Sequence, residues 1–600
     1  MVRVATLILA AAILGVAPAC AAALEVSQSQ WGFDGKVVPG RIAILSVELG
    51  NPSAAPFDGV LRLHKETGLG GRVDAPLVEP CFLSPGAARW VQFYPYVRDE
   101  HEAWVLEWGL GAKERHLLPG IEVGPPARVV LHDPDDPLAS GRGVRFRPFR
   151  ENLFPPTVAA TDGLHSVLLD RVPRWEPVRR QAFLDWLRRG GEVHVLRTPS
   201  GRHPVFPDEL AVLSSPLERH RVGAGLVLHH AMGRAEASDA ALAARGCPPC
   251  QLVAPSDYAP SRIGDIEEPL FRALSDMTRP KHAWGFIYLT VVAYIVVLGP
   301  LNLLFGRKRR NYRHTLLFFL LTVAGAGVLL YFLGRRGHDE ATAVNSLACA
   351  RQIDADTYDV TQWVNVFVTR GATYRITHDA PHNLYSGCQD REAIRGLIAN
   401  GKDGVFQVDI PLFSHRPFLH RAKLKGDHIK LDVVRWSVGE RLEELVLAAE
   451  PGFPQRAAEV WALHNASWYR MEVRNGQLHA RPPAASSSPT SLPEGAFDIA
   501  PPLWLRRSGY GRYGREDDER PENLFRRFSG ALLAREVGGS GLFNREPSRP
   551  QPDKDRVQIF IYAPCPQGFD VSEARLGKRL GYVLYCIDIF GPQESAPPGR

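Results

Sequence analysis

The residues with the clearest catalytic potential in this chain are one serine and two histidines near position 200. The stretch RTPSGRHPVF (197–206) places Ser200 and His203 just after the predicted strand EVHVL (192–196), which contains His194. A serine nucleophile needs a tight turn of the Gly-x-Ser-x-Gly type, and the residues around Ser200 lack that spacing. Single histidines are more often core or surface residues than general bases. We therefore predict no catalytic residue here.

Two groups of residues have the side chains of metal ligands but not the spacing. They are four histidines in two short windows and an acidic turn after a predicted strand, namely His378, His382, His415 and His420, and Asp133, Asp135 and Asp136. No carboxylate or cysteine completes a known zinc pattern around the histidines, and residues i and i+4 in an extended chain are too far apart to share one ion. A proline-flanked acidic turn is ordinarily a solvated loop. The sequence predicts no metal and no cofactor.

The eight cysteines are compatible with a compartment in which disulfides form. Neighbourhood along the chain suggests the pairs Cys349–Cys388, Cys565–Cys586 and Cys247–Cys250, although spacing alone does not fix connectivity. The Cys-Pro-Pro-Cys spacing at 247–250 also suits a redox motif. It lies in a Gly/Pro-rich loop and not at the start of a helix, which favours a local structural pair or two free thiols.

Two long apolar runs flank a strongly basic loop. The runs at 284–305 and 315–334 contain no formal charge, and as helices they would span roughly 33 and 30 Å, enough for a hydrocarbon core of about 30 Å. The connection at 306–314 is too short for a domain, so the runs predict a transmembrane hairpin. Its five basic residues are Arg307, Lys308, Arg309, Arg310 and Arg313. By the positive-inside rule this loop is cytoplasmic, where the cluster meets anionic lipid headgroups.

The charge balance gives no sign of a nucleic-acid partner. The 600 residues include 71 basic and 65 acidic side chains, for a net charge of +6. Residues 504–528 interleave arginine with aromatic side chains, a pattern also found in proteins that bind single strands. Acidic residues offset these arginines, so we predict a solvated loop and no nucleic acid.

The first residues have the composition of an export signal. Residues 1–22 combine a short basic start, an apolar stretch and small residues at cleavage spacing, which predicts a signal peptide; acylation at Cys20 is the alternative. Export followed by a hairpin would place residues 24–283 and 335–600 outside the cytoplasm, with the hairpin in the inner membrane.

The exported parts differ in their predicted fold. Residues 24–124 alternate short strands with turns, which predicts an immunoglobulin-like β-sandwich. Residues 125–255 alternate strands with a helix, which predicts a parallel α/β domain, and 256–283 form a linker. Residues 335–600 predict a β-rich domain with low-complexity loops and helical insertions, one of them at 391–398.

The middle of the chain resembles known architecture. The run DGLHSVLLDRVPRWEPVRRQAFLDWLRRGGEVHVL is similar to class I glutamine amidotransferase-like domains of bacterial envelope proteins. AYIVVLGPLNLLFGRKRR resembles the membrane hairpin that follows such domains in a group of uncharacterised membrane proteins. An amidotransferase uses a cysteine nucleophile on a strand-to-helix turn, and no cysteine occurs between residues 82 and 246. The resemblance thus implies the domain arrangement without glutaminase activity.

These features predict a membrane-anchored extracytoplasmic protein with a non-catalytic binding or scaffold role in the cell envelope. Its expected partners are the lipid bilayer and an envelope or membrane protein. Two alternatives stay open, an accessory subunit of a membrane transport complex and an envelope hydrolase with an unrecognised site. Small residues in the second apolar run, among them Gly325 and Gly327, would permit close helix packing and favour the first of these.

Overall fold

The structure of the protein is a computed structural model. The structure describes residues 24–67, 70–109, 114–135, 146–237, 267–276, 284–308, 312–336, 342–439, 441–454, 456–457, 459–465, 467–474, 476–480, 532–533, 536, 555–573 and 576–591. The predicted signal peptide, Cys20, Cys247, Cys250 and the arginine-aromatic stretch at 504–528 lie outside these residues.

The N-terminal part is built from short strands, as predicted. They are β1 (Glu25–Trp31), β2 (Lys36–Val37), β3 (Arg41–Ile42), β4 (Leu45–Gly50), β5 (Phe57–Glu66), β6 (Arg72–Leu83), β7 (Ala88–Phe93), β8 (Tyr96–Val97), β9 (Ala103–Trp108), β10 (Glu114–Leu117) and β11 (Glu122–Val123). One antiparallel sheet has the order β1-β4-β7, and a second begins β10-β9-β5-β6. Inward residues of both sheets, such as Val47 and Leu61, are fully buried in one core.

The next part is a parallel sheet with a helix, also as predicted. Its elements are β12 (Ala127–His132), β13 (Arg147–Arg150), β14 (Leu164–Leu169), α1 (Pro177–Arg188), β15 (Glu192–Arg197), β16 (Arg219–Val222) and β17 (Gly225–Gly233). The described strands have the order β13-β12-β14-β15-β17-β16, and all neighbours are parallel except β16. Pro177 begins α1, whose buried face includes Phe183 and Trp186. Gly190, at φ +124°, follows the helix and turns the chain into β15.

Helix α2 (Glu267–Asp276) precedes the two apolar runs, which differ in structure. Within the described residues one helix, α5 (Tyr312–Arg336), is long and apolar enough to cross a membrane, with a mean hydropathy of 1.4 over Tyr312–Leu329. The first run was predicted as one span but is divided into α3 (Trp284–Val296), a π-helical turn at Val297–Leu301 and α4 (Asn302–Lys308). Pro300 explains the division, because proline lacks an N–H and its ring crowds the preceding turn.

The C-terminal part is β-rich, as predicted. Its strands are β18 (Ala343–Asp354), β19 (Thr357–Val368), β20 (Ala372–Ile376), β21 (Leu384–Ser386), β22 (Gly396–Ala399), β23 (Val405–Ile410), β24 (Ser414–Lys425), β25 (Leu431–Val438), β26 (Leu442–Ala449), β27 (Glu459–His464), β28 (Ser467–Arg474), β29 (Gln477–Ala480), β30 (Arg556–Pro564) and β31 (Lys578–Phe590). Eleven of these form a sheet in the order β21-β24-β19-β18-β31-β30-β27-β28-β29-β26-β25.

One sheet combines strands of the N-terminal part with strands of the C-terminal part. β22 lies beside β6 and extends the N-terminal sheet to β10-β9-β5-β6-β22-β23-β20. The helix predicted at 391–398 is therefore wrong, because Gly396–Ala399 pairs as a strand with β23. The residues of 391–398 carry no local sign that β6, from the N-terminal part, would pair with them.

A buried ionic group, which we term the joint cluster, connects the α/β sheet to the eleven-stranded sheet. It consists of Asp162, Arg189, Asp359 and Arg421, whose side chains are at most 10% exposed. The Arg421 guanidinium donates to Asp162 Oδ1 and Asp359 Oδ2, both at 2.7 Å, and Arg189 Nη1 lies 3.0 Å from Asp162 Oδ1. Burial alone would raise the pKa of Asp162, but the Arg421 and Arg189 charges hold it well below its usual range.

The cysteines that the structure describes, Cys81, Cys349, Cys388, Cys565 and Cys586, are free thiols. The two expected pairs among them are not made. Cys388 follows β21, which lies three strands away from the strand that carries Cys349. The Cys565 amide bonds to the Gly581 carbonyl, whereas Cys586 lies opposite Phe560, five residues further along β31.

Candidate functional site

The parallel sheet has a topological switch point between β12 and β14. In chain order the parallel strands are arranged 2-1-3-4-5, so connections leave the first strand in opposite directions. Sheets of this type bind ligands outside the carboxyl ends of the strands at this position. We term the residues that surround it, Asp133, Glu151, Asp170, Arg174 and Arg234, the switch-point group.

Two carboxylates of the switch-point group, Asp133 and Asp170, are paired with arginines. Asp170 directly follows β14, and Arg234, from the end of β17, donates to its Oδ1 at 2.7 Å and to the Leu131 carbonyl at 3.1 Å. Arg174 Nη1 lies 3.2 Å from Asp133 Oδ2, and the Arg174 side chain is exposed to solvent. Arg234 thus bridges the ends of β12 and β14, and Arg174 presents a positive charge to solvent beside them.

Glu151 is the buried acid of the switch-point group, at 4% exposure. Its Oε1 accepts from the Arg174 amide at 3.1 Å, and among the described residues its Oε2 has no hydrogen-bond partner. Burial raises the pKa of Glu151, and the Arg174 amide opposes that shift. The Trp175 indole donates to the Glu151 carbonyl at 2.7 Å, which holds this turn in place.

This arrangement suits binding through charge more than coordination of a cation. Asp133 Oδ1 accepts from the Asp135 amide at 3.0 Å, the hydrogen bond of an ordinary acidic turn, while Asp136 lies outside the described residues. Arginines already occupy the positions that a cation would take. No group of three or more His, Cys, Asp or Glu in the described part of the chain is arranged to hold a metal.

The residues around Ser200 do not form a catalytic pair. After β15 the chain makes an exposed turn in which the Ser200 and Thr198 hydroxyls lie 2.8 Å apart. No helix begins there, and a 3₁₀ segment at Asp208–Ser214 follows instead. His203 Nε2 bonds to the His230 carbonyl at 2.9 Å, away from the serine. The strand-to-helix turn that would activate a nucleophile is absent from this position.

A cluster of histidines between β15, β16 and β17 was missed by the sequence analysis. It contains His194, His203, His220, His229 and His230. His194 is fully buried, with Nδ1 3.0 Å from His230 Nε2 and Nε2 2.9 Å from Glu192 Oε1. Burial, followed by the neighbouring His203 and His220, lowers the pKa of His229. These rings pack as a structural cluster. His194, His220 and His230 come from three neighbouring strands, and no spacing along the sequence brings them together.

Two histidines of the C-terminal part, His420 and His378, are likewise committed to the fold. The two ring nitrogens of His420 lie 2.9 Å from the Gln362 and Asn383 side-chain amides, and its ring stacks on Tyr385. The His378 ring stacks on the His420 ring, and His378 Nε2 bonds to the Gly568 carbonyl. Neither nitrogen of His420 is directed at a position open to a metal.

The residues of the basic cluster run from the end of α4 to the start of α5. Arg307 is exposed in α4, and Arg313 is exposed at the start of α5. Lys308 is the last residue of α4, and Arg309 and Arg310 lie outside the described residues. A Cβ added at Gly306 would lie 3.3 Å from Thr315 Cγ2, so the two segments are close at this end.

Comparison with known proteins identifies no family. No family model matches the chain, and no curated protein matches it. The similar solved structures include a β-D-glucoside glucohydrolase from Trichoderma reesei, at 14% identity and a TM-score of 0.14 over 17% of this chain and 19% of that one. They also include the alkylpurine DNA glycosylase AlkC of Pseudomonas fluorescens, at 19% identity and a TM-score of 0.13 over 19% of this chain and 33% of that one. The chain thus spans a third or less of these two structures. A cycloisomaltooligosaccharide glucanotransferase from Paenibacillus sp. aligns over 76% of this chain and 97% of that one, at 7% identity and a TM-score of 0.16.

Proposed function

We propose that this protein is a membrane-anchored extracytoplasmic protein with a non-catalytic binding or scaffold role in the cell envelope. The observation that carries the proposal is that the chain segments before and after the two apolar runs form one body. They share the sheet in which β6 and β22 are neighbours, and they share two hydrophobic cores. The joint cluster adds buried charge pairs between them, Arg421 with Asp162 and Arg189 with Asp359.

This common body restricts how the chain crosses a membrane. If α5 alone crossed, the segments on its two sides would lie on opposite faces of the bilayer and could not pack together. An even number of crossings avoids this conflict, and 284–308 is the apolar helical segment beside α5. At about 1.5 Å per residue its helical path reaches roughly 35 Å, enough to cross despite the π turn. We therefore propose a two-helix hairpin in the inner membrane.

The apolar surface of these helices supports membrane burial. Leu289 and Leu321 are 64% and 63% exposed, and many neighbouring apolar side chains are exposed as well. In water such a surface would be unfavourable, since burying a leucine side chain is worth about 1.5–3 kcal/mol. The basic loop then faces the cytoplasm, and the body lies outside.

A binding role fits the chemistry of the body better than turnover. The switch-point group offers fixed charges at the edge where such sheets take ligands, and Ser200 has no activating base. The amidotransferase-like resemblance would then reflect a domain that keeps its architecture and has lost its nucleophile.

Complementation of a deletion strain tests the proposal, with envelope integrity scored as sensitivity to detergent. The double variant Ser200→Ala, His203→Ala should restore integrity fully, because no catalytic pair is involved. Arg174→Glu should restore it poorly, since it reverses the exposed charge of the switch-point group. Arg435→Glu is the control, because Arg435 is also an exposed arginine paired with an acid and lies on a different part of the body. Loss of complementation by the Ser200 variant at normal protein levels would favour an envelope hydrolase.

An accessory role in a membrane complex is the second candidate. A Cβ placed at Gly325 or Gly327 would meet nothing within 4 Å, so this part of α5 is open to a neighbouring helix. A stoichiometric membrane partner that co-purifies in mild detergent and is lost on Gly325→Leu, but retained on Leu320→Ala, would support this role. Absence of any such partner would leave the scaffold proposal alone.

A further inference from the structure

Both connections to the hairpin leave the body at one end of the eleven-stranded sheet. Arg336 ends α5 and Thr342 precedes β18, so at most about 20 Å of extended chain separates them. On the incoming side, the Leu274 carbonyl of α2 accepts from Asn345 and Asn365, both at 3.4 Å. These asparagines lie near the start of β18 and the end of β19. That end of the sheet, which we term the rim, must therefore lie near the membrane that holds α5.

An apolar loop projects from the rim. It consists of Leu412 and Phe413, between β23 and β24, which are 59% and 46% exposed. The loop is adjacent to the chain that emerges from α5, because Thr342 Oγ1 lies 3.5 Å from Thr369 Oγ1 and Val368 pairs with Ser414. A Cβ added at Gly371 would come within 2.9 Å of the Leu412 amide, so the loops at 369–371 and 411–413 are packed together.

If this loop faced only water, both its backbone conformation and its exposed apolar side chains would be unfavourable. Phe413 adopts φ +52°, in the left-handed region that glycine or asparagine occupies with less strain. Both side chains are nevertheless exposed to solvent. Strain and exposed apolar area in one short turn are typical of segments whose function lies at an interface.

Basic residues stand on the same rim. Arg370 is exposed in the adjacent loop, and Lys578, which pairs with Ala343, is exposed at the start of β31. The nearest acid on β23, Asp409, is bonded to the Thr373 hydroxyl at 2.6 Å. Apolar side chains beside lysine and arginine suit the boundary between acyl chains and phosphate headgroups.

We propose that Leu412 and Phe413 insert into the outer surface of the bilayer that α5 crosses, so that the body rests on the membrane at its rim. This inference depends on the membrane anchoring proposed above. It adds a second contact between the body and lipid. With the hairpin and its short connections alone the body would be free to tilt, and the second contact would fix its orientation.

The test uses the full chain reconstituted into vesicles of phosphatidylethanolamine and phosphatidylglycerol that carry a nitroxide on the headgroup. A small fluorescent amino acid is placed at Phe413, at Leu117 or at Val323. Leu117 is the matched control, since it is 65% exposed on β10, at the opposite edge of the shared sheet from β20. Val323 lies in α5 and reports insertion of the hairpin.

We expect nitroxide quenching at Phe413 to be several-fold stronger than at Leu117, because interfacial side chains lie about 5–10 Å into the headgroup boundary. Equal, weak quenching at Phe413 and Leu117 with a lipid-buried signal at Val323 would overturn this inference and leave the anchor intact. A solvent-exposed signal at Val323 would overturn the anchor and the inference together.

Discussion

At the residue scale, the backbone of Asp74 joins two distant chain segments. It lies at φ +62° on β6, and its carbonyl accepts from the Ile394 amide at 3.1 Å while its amide donates to the Glu392 carbonyl at 2.9 Å. Its carboxylate accepts from the Ala75 amide at 2.7 Å and is packed against Gly387. Burial raises the pKa of Asp74 to about 6.

This shift predicts an unusual pH dependence. Because the folded pKa exceeds the unfolded one, protonation of Asp74 favours the fold: its contribution is present below about pH 4 and is lost as pH rises through 6. Asp74→Asn keeps a residue that tolerates positive φ and removes the buried charge, so we expect it to be more stable than the parent above pH 6, by about 1–2 kcal/mol.

The measurement is the melting temperature of the full chain in detergent at several pH values. Asp58→Asn, which changes an exposed carboxylate on β5, serves as the control and should leave the curve unchanged. If Asp74→Asn lowers the melting temperature at pH 8, and lowers it more than at pH 4, then the charge of Asp74 stabilises the junction and our assignment is wrong.

At the element scale, the parallel sheet could be predicted well and the shared sheet could not. The buried runs of β14 and β15, with Pro177 and Gly190 around the helix between them, carry local signals that the fold follows. The pairing of β22 with β6 depends on residues more than three hundred positions apart, for which no local pattern exists. The same limit applies to the switch-point group. Asp133 could be recognised from its strand, but Glu151 and Arg234 reach the site only through tertiary structure.

Packing of α1 against β17 leads to a prediction at the same scale. A Cβ at Gly225 would lie 1.9 Å from the Leu187 carbonyl oxygen and 2.8 Å from the Gly191 carbonyl oxygen. Gly225→Ala must therefore displace backbone, and we expect a loss of stability of about 2 kcal/mol or more. Thermal unfolding in detergent would measure it. Gly120→Ala, where a Cβ meets nothing within 4 Å, should change little; equal effects of the two changes would contradict this account of the packing.

At the scale of the whole molecule, we expect the joint cluster to stabilise the packing of the α/β sheet against the eleven-stranded sheet. Arg421→Gln leaves Asp162 and Asp359 with less positive charge in a buried site, which typically costs 3–5 kcal/mol. Arg435→Gln removes an exposed pair with Glu444 and should cost less than about 1 kcal/mol.

A protease site inserted between Lys308 and Tyr312 gives the readout. After cleavage in detergent the two fragments should elute together from a sizing column. With Arg421→Gln they should separate at a lower denaturant concentration than with Arg435→Gln. If the two variants separate identically, the joint cluster contributes nothing specific to the common body.

The central claim is that the segments on both sides of the hairpin form one body on one side of the membrane. It is tested most directly by labelling intact cells with a membrane-impermeant thiol reagent, with the unsubstituted chain as background. The variants are Phe82→Cys and Val473→Cys, both at positions 55% exposed on the body, and Tyr312→Cys, at a position 76% exposed beside the basic loop. We predict that the first two react in intact cells and that the third reacts only after lysis. Reaction of Phe82→Cys without Val473→Cys, or the reverse, would place the segments on opposite faces and contradict the account.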